Sequence, residues 1–449
     1  MASAAEQLAS NLNFSTFSRA TELKKRIWFT LGALLIFRLG TYIPIPGMNT
    51  EALKAMVAQH ANGVIGVFNL FAGGAVGRMA IFALGIMPYI SASIIVQLLT
   101  SVIPSLEALK KEGESGRTII NQYTRYGTVL LAIVQAYGIA IAMESGMGTS
   151  YQLVVDPGWF FRISAVITLL GGTMFLMWLG EQVTSRGVGN GISLIIFAGI
   201  VAELPSAFVQ LLTAGREGNL PGFAVVAILV LIVVVIAVVV FFERAQRRLL
   251  IQYPKRQVGN RMFQGDSSHL PLKLNTSGVI PPIFASSLLM LPATIINFSS
   301  NMPQWLQSIA FSLGHGQPLY LIIFAALMAF FCFFYTAIVF NPKDTADQLK
   351  KQSGFIPGIR PGERTAEYID YVLTRITVIG AIYLIVVCLL PEFVRMMFPV
   401  IPFQLGGTSL MIVVTVTLDT VAQIQGHLVA HQYEGLIKKS KLRGGRRNR

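Results

Sequence analysis

Five histidines, His60, His269, His315, His427 and His431, are the side chains best suited to moving protons or holding a metal near neutral pH. They are scattered, and no HExxH spacing puts two of them on one helix face around a glutamate. Cys332 and Cys388 lie inside apolar runs without disulfide or metal-ligand spacing, and read as small buried hydrophobes. Glu181, beside the GNG of residues 189–191, has a superficially catalytic setting, but it stands at the boundary of an apolar run, where a helix-end carboxylate needs no reaction. Asp419 is the clearest acid inside an apolar run and has no basic residue at helical spacing; Arg38, Arg162, Glu181, Glu203 and His427 stand nearer the ends of theirs. Aspartyl chemistry takes two acids and serine chemistry a nucleophile with its base. The chain therefore reads as no enzyme, with no catalytic residue, no metal and no cofactor. A secondary transporter is the alternative class, but transporters place ionisable pairs or broken helices around a midplane site, and one isolated acid is thin support.

The elements around these residues are far more informative. The chain has 449 residues, 53% of them hydrophobic and only 12% charged, and a mean hydropathy of +0.62. Soluble domains carry about 25% charged residues. Apolar runs long enough to cross a bilayer, about 20 residues each, predict ten spans near 27–44, 80–101, 119–143, 160–181, 191–212, 222–242, 275–298, 318–340, 369–390 and 405–427. Alternating segments of a β-barrel do not dominate, and the polar first 26 residues show no early cleavage site. Most of the 35 Lys and Arg residues fall in the N-terminal arm, the even-numbered connections and the tail. Basic residues collect on the cytoplasmic side, so both termini are expected there and much of the +14 net charge is topology. Residues 243–274 and 341–368 are the two longest cytoplasmic loops, and 431–449 is a basic tail.

One stretch fits neither a span nor an ordinary loop. GVIGVFNLFAGGAVGRM, residues 63–79, has too short an apolar run to cross, and Gly73, Gly74 and Gly77 discourage a continuous helix. Irregular backbone at membrane depth is tolerated only where protein buries it or it lines a cavity. Two readings stay open at this point: a short re-entrant segment folded into the bundle, or an outer loop resting on the interface. Pro88, in the following span, reads as a kink of the kind common in membrane helices.

The run FNLFAGGAVGRMAIFALGIMPYISASIIVQLLT, followed by KKEGESGR and QYTRYGT, resembles the SecY family of protein-conducting channels. GTMFLMWLGEQVTSRGVGNGISLIIFAGIVA, HLPLKLNTSGVIPPIFASSL, FCFFYTAIVFNPKDTADQLKK, GFIPGIRPGERT and LGGTSLMIVVTVTLD follow in the family's order and carry the resemblance across nearly the whole chain.

The resemblance implies an all-α polytopic membrane protein of ten helices in two five-helix inverted halves around an hourglass pore, residues 27–212 and 213–430, behind a cytoplasmic arm 1–26. It makes residues 64–78 a plug helix, with Phe68, Asn69, Leu70, Phe71, Gly73, Gly74, Gly77 and Arg78 as its working residues, and assigns its glycines the freedom to leave the seat. It puts a pore ring on Ile86, Ile90, Ile192, Ile196, Ile283 and Ile412; a narrow collar of branched apolar side chains excludes ions by dewetting. Taken singly, each isoleucine is an ordinary packing or lipid-facing residue. Pro281 and Pro282, beside Ile283, are expected to alter a kink there.

A lateral gate between the second and seventh spans would use Gln97, Asn275, Thr276 and Ser277, although the last three equally suit an N-terminal cap. Partner docking falls on Arg360 in FIPGIRPGER and on Arg247, Arg248, Lys255 and Arg256. Those loop charges suit ribosomal RNA or anionic lipids alike. The implied partners are the small subunits SecE and SecG, the motor ATPase SecA, the ribosome and polypeptides bearing signal sequences. The implied location is the bacterial plasma (inner) membrane.

Overall fold

The computed structural model describes residues 21–49, 52–53, 69–144, 153–218, 220–254, 256–258, 261–263, 267–297, 317–397 and 406–444. Phe68 and Lys255, the first part of the expected plug and the side chain of Arg256 lie outside the described residues.

The chain is helical, with one small β element. The helices are α1 (Thr21–Gly40), α2 (Met87–Val102), α3 (Pro104–Lys111), α4 (Glu114–Glu144), α5 (Trp159–Arg186), α6 (Gly191–Arg216) and α7 (Gly222–Arg244). After strands β1 (Gln246–Gln252), β2 (Arg256–Val258), β3 (Arg261–Phe263) and β4 (Ser267–Lys273) come α8 (Ile280–Asn297), α9 (Pro318–Val339), α10 (Pro342–Lys351), α11 (Glu363–Met397) and α12 (Gly407–Gly444). Each of the ten expected spans overlaps one of these helices. Among the described residues, seven helices are long and apolar enough to cross a membrane, or eight if α2 and α3, bent by 98°, count as one.

Residues 222–242 of α7 read GFAVVAILVLIVVVIAVVVFF, a composition that favours strands in water. It is helical because lipid offers the backbone no hydrogen-bond partner, and only a helix satisfies every N–H and C=O within one segment. Prolines set several of the helix starts. Pro104, Pro318 and Pro342 each stand in the first turn of their helices, where the missing N–H costs nothing and the fixed φ suits a helix. Pro88 does the same for α2, which begins at Met87. The expected mid-span kink is therefore a helix start, and the residues before it are not helical. Pro281 and Pro282 likewise fall in the first turn of α8. Pro205 and Pro391 do lie inside helices, α6 and α11.

By contacts the chain divides into two compact units, Met1–Ser206 with Val416–Arg449, and Ala207–Thr415. That division and the expected boundary at 212/213 both fall within α6. In the first unit α4 packs on α2 and α5, and α5 on α1. Its core includes Ile45, Leu53, Met79, Leu84, Phe161 and Leu169. Helix α3 is polar, with a 2.7 Å ion pair from Lys111 to Glu107 that holds the Glu107 carboxyl below the usual range.

In the second unit α9 packs on α8 and α11, and α7 and α10 pack on α11. The 243–274 loop is more regular than its polar composition suggests. Strands β1 and β4 pair antiparallel from Gln246↔Lys273 to Gln252↔Ser267, and β2 pairs with β3. Leu249, Ile251 and Leu272 point to one face and pack with Leu349, Ile356 and Ile369. A Gln252↔Phe355 bridge joins this hairpin to the 341–368 loop. The two long loops thus fold as one platform.

Candidate functional site

The glycine-broken stretch is buried. Leu70, Phe71, Ala72 and Ala75 are core residues of the first unit, which removes the interface-loop reading for the described part. Asn69 to Phe71 end a helical turn. The Gly73 N–H donates to the Leu70 carbonyl at 3.1 Å and the Gly74 N–H to the Asn69 carbonyl at 2.7 Å. Closing the turn this way takes left-handed backbone, and Gly73 (φ 63°) and Gly74 (φ 81°) supply it. The Asn69 side-chain oxygen accepts from the Gly77 N–H at 2.7 Å, folding the next loop back on the helix end.

The seat is α6. A Cβ on Gly199 would stand 3.1 Å from the Phe71 carbonyl oxygen and 3.2 Å from the Gly73 nitrogen. The glycines of the plug therefore make a tight turn and a close backbone approach, a different use from the looseness expected of them. Around Gly73 the contacts are ionic. Arg38 Nη1 donates to the Gly73 carbonyl at 2.7 Å, and its Nη2 donates to the Tyr42 hydroxyl at 3.0 Å. Arg78 Nε donates to the Gly74 carbonyl at 3.1 Å, and its Nη2 pairs with Glu203 at 3.7 Å. Both guanidinium groups lie over the Tyr42 ring, at 4.9 Å for Arg38 and 4.1 Å for Arg78.

Beyond Met79 the chain is embedded by other means. Pro44 and Ala80 form an isolated antiparallel bridge. Phe82 stacks between Phe37 and Phe175, with ring centroids 6.2 and 5.9 Å apart. Gly40 and Gly172 carry no side chain because the Phe82 ring and the Ile81 carbonyl already fill that space. Successive turns run through Gly85 (φ 56°) to Ile86, which caps α2.

Of the six expected ring residues, Ile86, Ile90, Ile196, Ile283 and Ile412 are buried and Ile192 is half-buried. Ile86 and Ile90 stand one turn apart at the start of α2, the Ile90 N–H donating to the Ile86 carbonyl at 3.1 Å. Ile192 and Ile196 open α6, where Asn190 accepts from the Ile192 N–H at 3.1 Å. Ile283 and Ile412 belong to the second unit.

The expected gate residues Asn275, Thr276 and Ser277 form a turn before α8, whose first residue is Ile280. Asn275 Nδ2 donates to Glu243 of α7 at 2.6 Å, and Asn275 Oδ1 accepts from the Gly278 N–H at 3.1 Å and the Ser277 hydroxyl at 3.0 Å. Ser277 Oγ also lies 3.4 Å from the Cys332 thiol, and the Thr276 hydroxyl donates to the Lys273 carbonyl. Gln97, on α2, donates to Ser93 at 3.4 Å, while its own oxygen is buried without a hydrogen-bond partner among the described residues.

On the loop platform, Arg247, Arg248 and Arg360 are exposed. The Arg360 carbonyl accepts from the Thr365 hydroxyl at 2.9 Å, and Gly358 (φ 83°) and Gly362 (φ 109°) turn the chain on either side.

Several residues that matter here were not singled out for this site from sequence. Arg38, Tyr42, Gly199 and Glu203 come from α1, its exit and α6, and no local spacing links them to the plug. Glu181 has a bidentate partner, Arg125, at 3.1 and 2.8 Å, so it is one half of an α4–α5 ion pair.

The sequence model of the SecY family matches residues 80–421. The chain is 54% identical over 431 residues to the protein translocase subunit SecY of Rickettsia conorii (strain ATCC VR-613 / Malish 7), covering 96% of this chain and 99% of the relative. It is 53% identical over 425 residues to the protein translocase subunit SecY of Escherichia coli (strain K12), covering 94% and 96%. A solved structure described as that of a protein conducting channel superposes with a TM-score of 0.65 over 91% of this chain and 93% of that one, at 17% identity. At that identity it speaks for the fold.

Proposed function

Because the chain belongs to the SecY family, we propose that it is the channel through which unfolded polypeptides cross the plasma membrane, closed at rest by the segment that ends in Arg78. It is a multi-pass membrane protein and a protein-translocating channel. The observation that carries the resting seal is the plug seat: a broken segment lies buried within the first unit, backbone to backbone against Gly199. A span built only for anchorage has no use for it.

In this reading the six isoleucines form a dry collar that excludes ions yet offers a passing peptide no hydrogen bonds. The start of α2 and the start of α6 present two of its pairs. Gln97 with the Asn275–Ser277 turn marks the edges that part for a signal sequence, and the buried Gln97 oxygen, without a partner among the described residues, can take one when they do. Hydrophobic segments leave sideways into lipid there. Both termini and the loop platform face the cytoplasm, by the distribution of Lys and Arg. Arg247, Arg248 and Arg360 meet the ribosome or the motor ATPase SecA, with Lys255 and Arg256 beside them and anionic lipids or ribosomal RNA as further ligands. SecE and SecG complete the membrane complex. The chain supplies a path, and its partners supply the energy.

The test is conductance. The full chain, reconstituted with its membrane partners in planar bilayers, is compared with a variant lacking residues 64–77. The intact channel is expected to be tight to small ions and the deletion to leak. A deletion variant as tight as the parent removes the plug from this account.

A further inference from the structure

The stretch from Asn69 to Ile86 is held by two different kinds of force. Residues 79–81 are fixed through backbone. The Ile45 N–H donates to the Met79 carbonyl and the Ile81 N–H to the Ile43 carbonyl, both at 2.9 Å. The strand they join is pinned on its continuation as well, since the Val155 N–H donates to the Gly47 carbonyl at 3.0 Å and the Asn49 N–H to the Leu153 carbonyl at 2.9 Å. Phe82 is locked in its aromatic stack. Residues 69–78 differ. Among the described residues their backbone N–H groups donate only within the segment. Among the described residues, the polar contacts holding them to the rest of the unit come from Arg38, Tyr42 and Glu203, and from one backbone bond across Met79, the Ala80 N–H donating to the Ala75 carbonyl at 2.8 Å, which must break on release. Between the two parts stands Met79, a non-glycine residue in left-handed backbone (φ 44°), a conformation an unbranched side chain adopts only where its surroundings impose it.

We propose that Arg38, Tyr42 and Glu203 form a latch on the plug, and that on opening residues 69–78 leave as one piece about Met79 while 79–86 stay in place. This rests on the channel reading above. The latch is poised by its charges. Arg38 and Arg78 share the Gly73 carbonyl, at 2.7 and 3.5 Å, and the same tyrosine ring, so two like charges are crowded together. Glu203 is the acid paired to Arg78. The guanidinium fork suits Arg38, because one arm reaches a carbonyl while the other reaches a hydroxyl. Removing the Glu203 charge leaves the two cations facing each other across the plug boundary and favours ejection of Arg78, with the plug attached.

Resting ion conductance of the reconstituted full chain tests the latch. R38Q and E203Q are each expected to raise it several-fold, towards the level of a variant lacking 69–78, and R38K, which restores a long cationic donor to the Gly73 carbonyl, to recover most of the seal. A leaking deletion with tight R38Q and E203Q overturns the latch and leaves the channel reading standing. A tight deletion removes the plug from the resting seal, and the latch with it. Equal leaks from R38K and R38Q assign the loss to packing and overturn the latch. The hinge has its own arm. Ile45 and Met79, and Ile81 and Ile43, flank Pro44 and Ala80 as a non-hydrogen-bonded antiparallel pair, whose short Cα separation of about 4.5 Å accepts a disulfide. With Cys332 and Cys388 changed to alanine, the oxidised P44C/A80C channel is expected to translocate at the rate of its reduced form. Blocked translocation overturns the fixed hinge.

Discussion

Gly73 and Gly199 meet without side chains between them: a Cβ on Gly73 would stand 3.0 Å from the Cα of Gly199. Neither position has room to spare, and Gly73 also needs its left-handed backbone (φ 63°). Gly199→Val drives two methyl groups into the plug backbone. Overpacking of this kind costs about 1–3 kcal/mol, and here the seated plug is the part able to relieve it by leaving. The seated-to-released ratio is expected to fall about 5- to 150-fold, since 1.4 kcal/mol is a factor of about ten. Single-channel recordings of the resting channel measure it directly; an unchanged open fraction shows that the plug does not rest on Gly199.

Ile86 and Ile90 present two apolar side chains one turn apart at the start of α2. If they form part of a dry collar, their volume keeps water out. Ile86→Gly with Ile90→Gly widens it and is expected to raise ion conductance with the plug in place. Glycine at Ile90, inside α2, also costs up to about 1 kcal/mol of helix stability, so a parallel thermal melt separates leak from loss of fold. A channel that melts like the parent and stays tight takes these two residues off the ring.

Fold class was legible because lipid simplifies the code: long apolar runs leave the backbone one solution. The run of valines in α7 needs that argument, since its composition alone points to strands. Pro88 shows where the reading slipped. A proline inside an apolar run looks like a kink, but whether it sits mid-helix or in the first turn depends on whether residues 80–86 are helical, and their irregularity comes from Phe82, Gly40 and Gly172 packing together. The hairpin at 246–273 left a faint trace in the alternation of Leu249 and Ile251, hidden among charges. Arg38 and Glu203 were visible as ionisable residues near the ends of apolar runs, yet nothing in sequence spacing says that one meets the Gly73 carbonyl and the other Arg78 of the same segment.

Glu144 ties the end of α4 to the start of α5. One carboxylate oxygen lies 2.6 Å from Arg162 Nε, the other accepts the Gly158 N–H at 2.9 Å, and its side chain is only 8% exposed. Glu144→Gln keeps the shape but removes the charge. Hydrogen bonds to charged groups contribute about 1.5–3 kcal/mol each, and some of that is recovered by the amide. The melting temperature in detergent is expected to drop on the order of 2–4 °C with translocation retained. An unchanged melt shows the clamp to be spectator geometry.

Arg360 offers a cleaner separation of docking from folding. Its side chain is exposed, and the hydrogen bond at this residue, from Thr365, reaches the backbone carbonyl. Gly358 and Gly362 hold the loop in a shape that does not depend on the residue between them. Surface substitutions away from caps and cores usually move stability by less than about 0.5 kcal/mol, so Arg360→Glu should leave the melt and the membrane complex intact. If the platform receives the motor or the ribosome through this charge, reversal repels the partner, and polypeptide export by reconstituted vesicles is expected to slow about tenfold. Added salt should narrow the gap between parent and variant, because screening weakens attraction in one and repulsion in the other. Export at the parent rate, or a deficit indifferent to ionic strength, shows that partners grip the platform elsewhere.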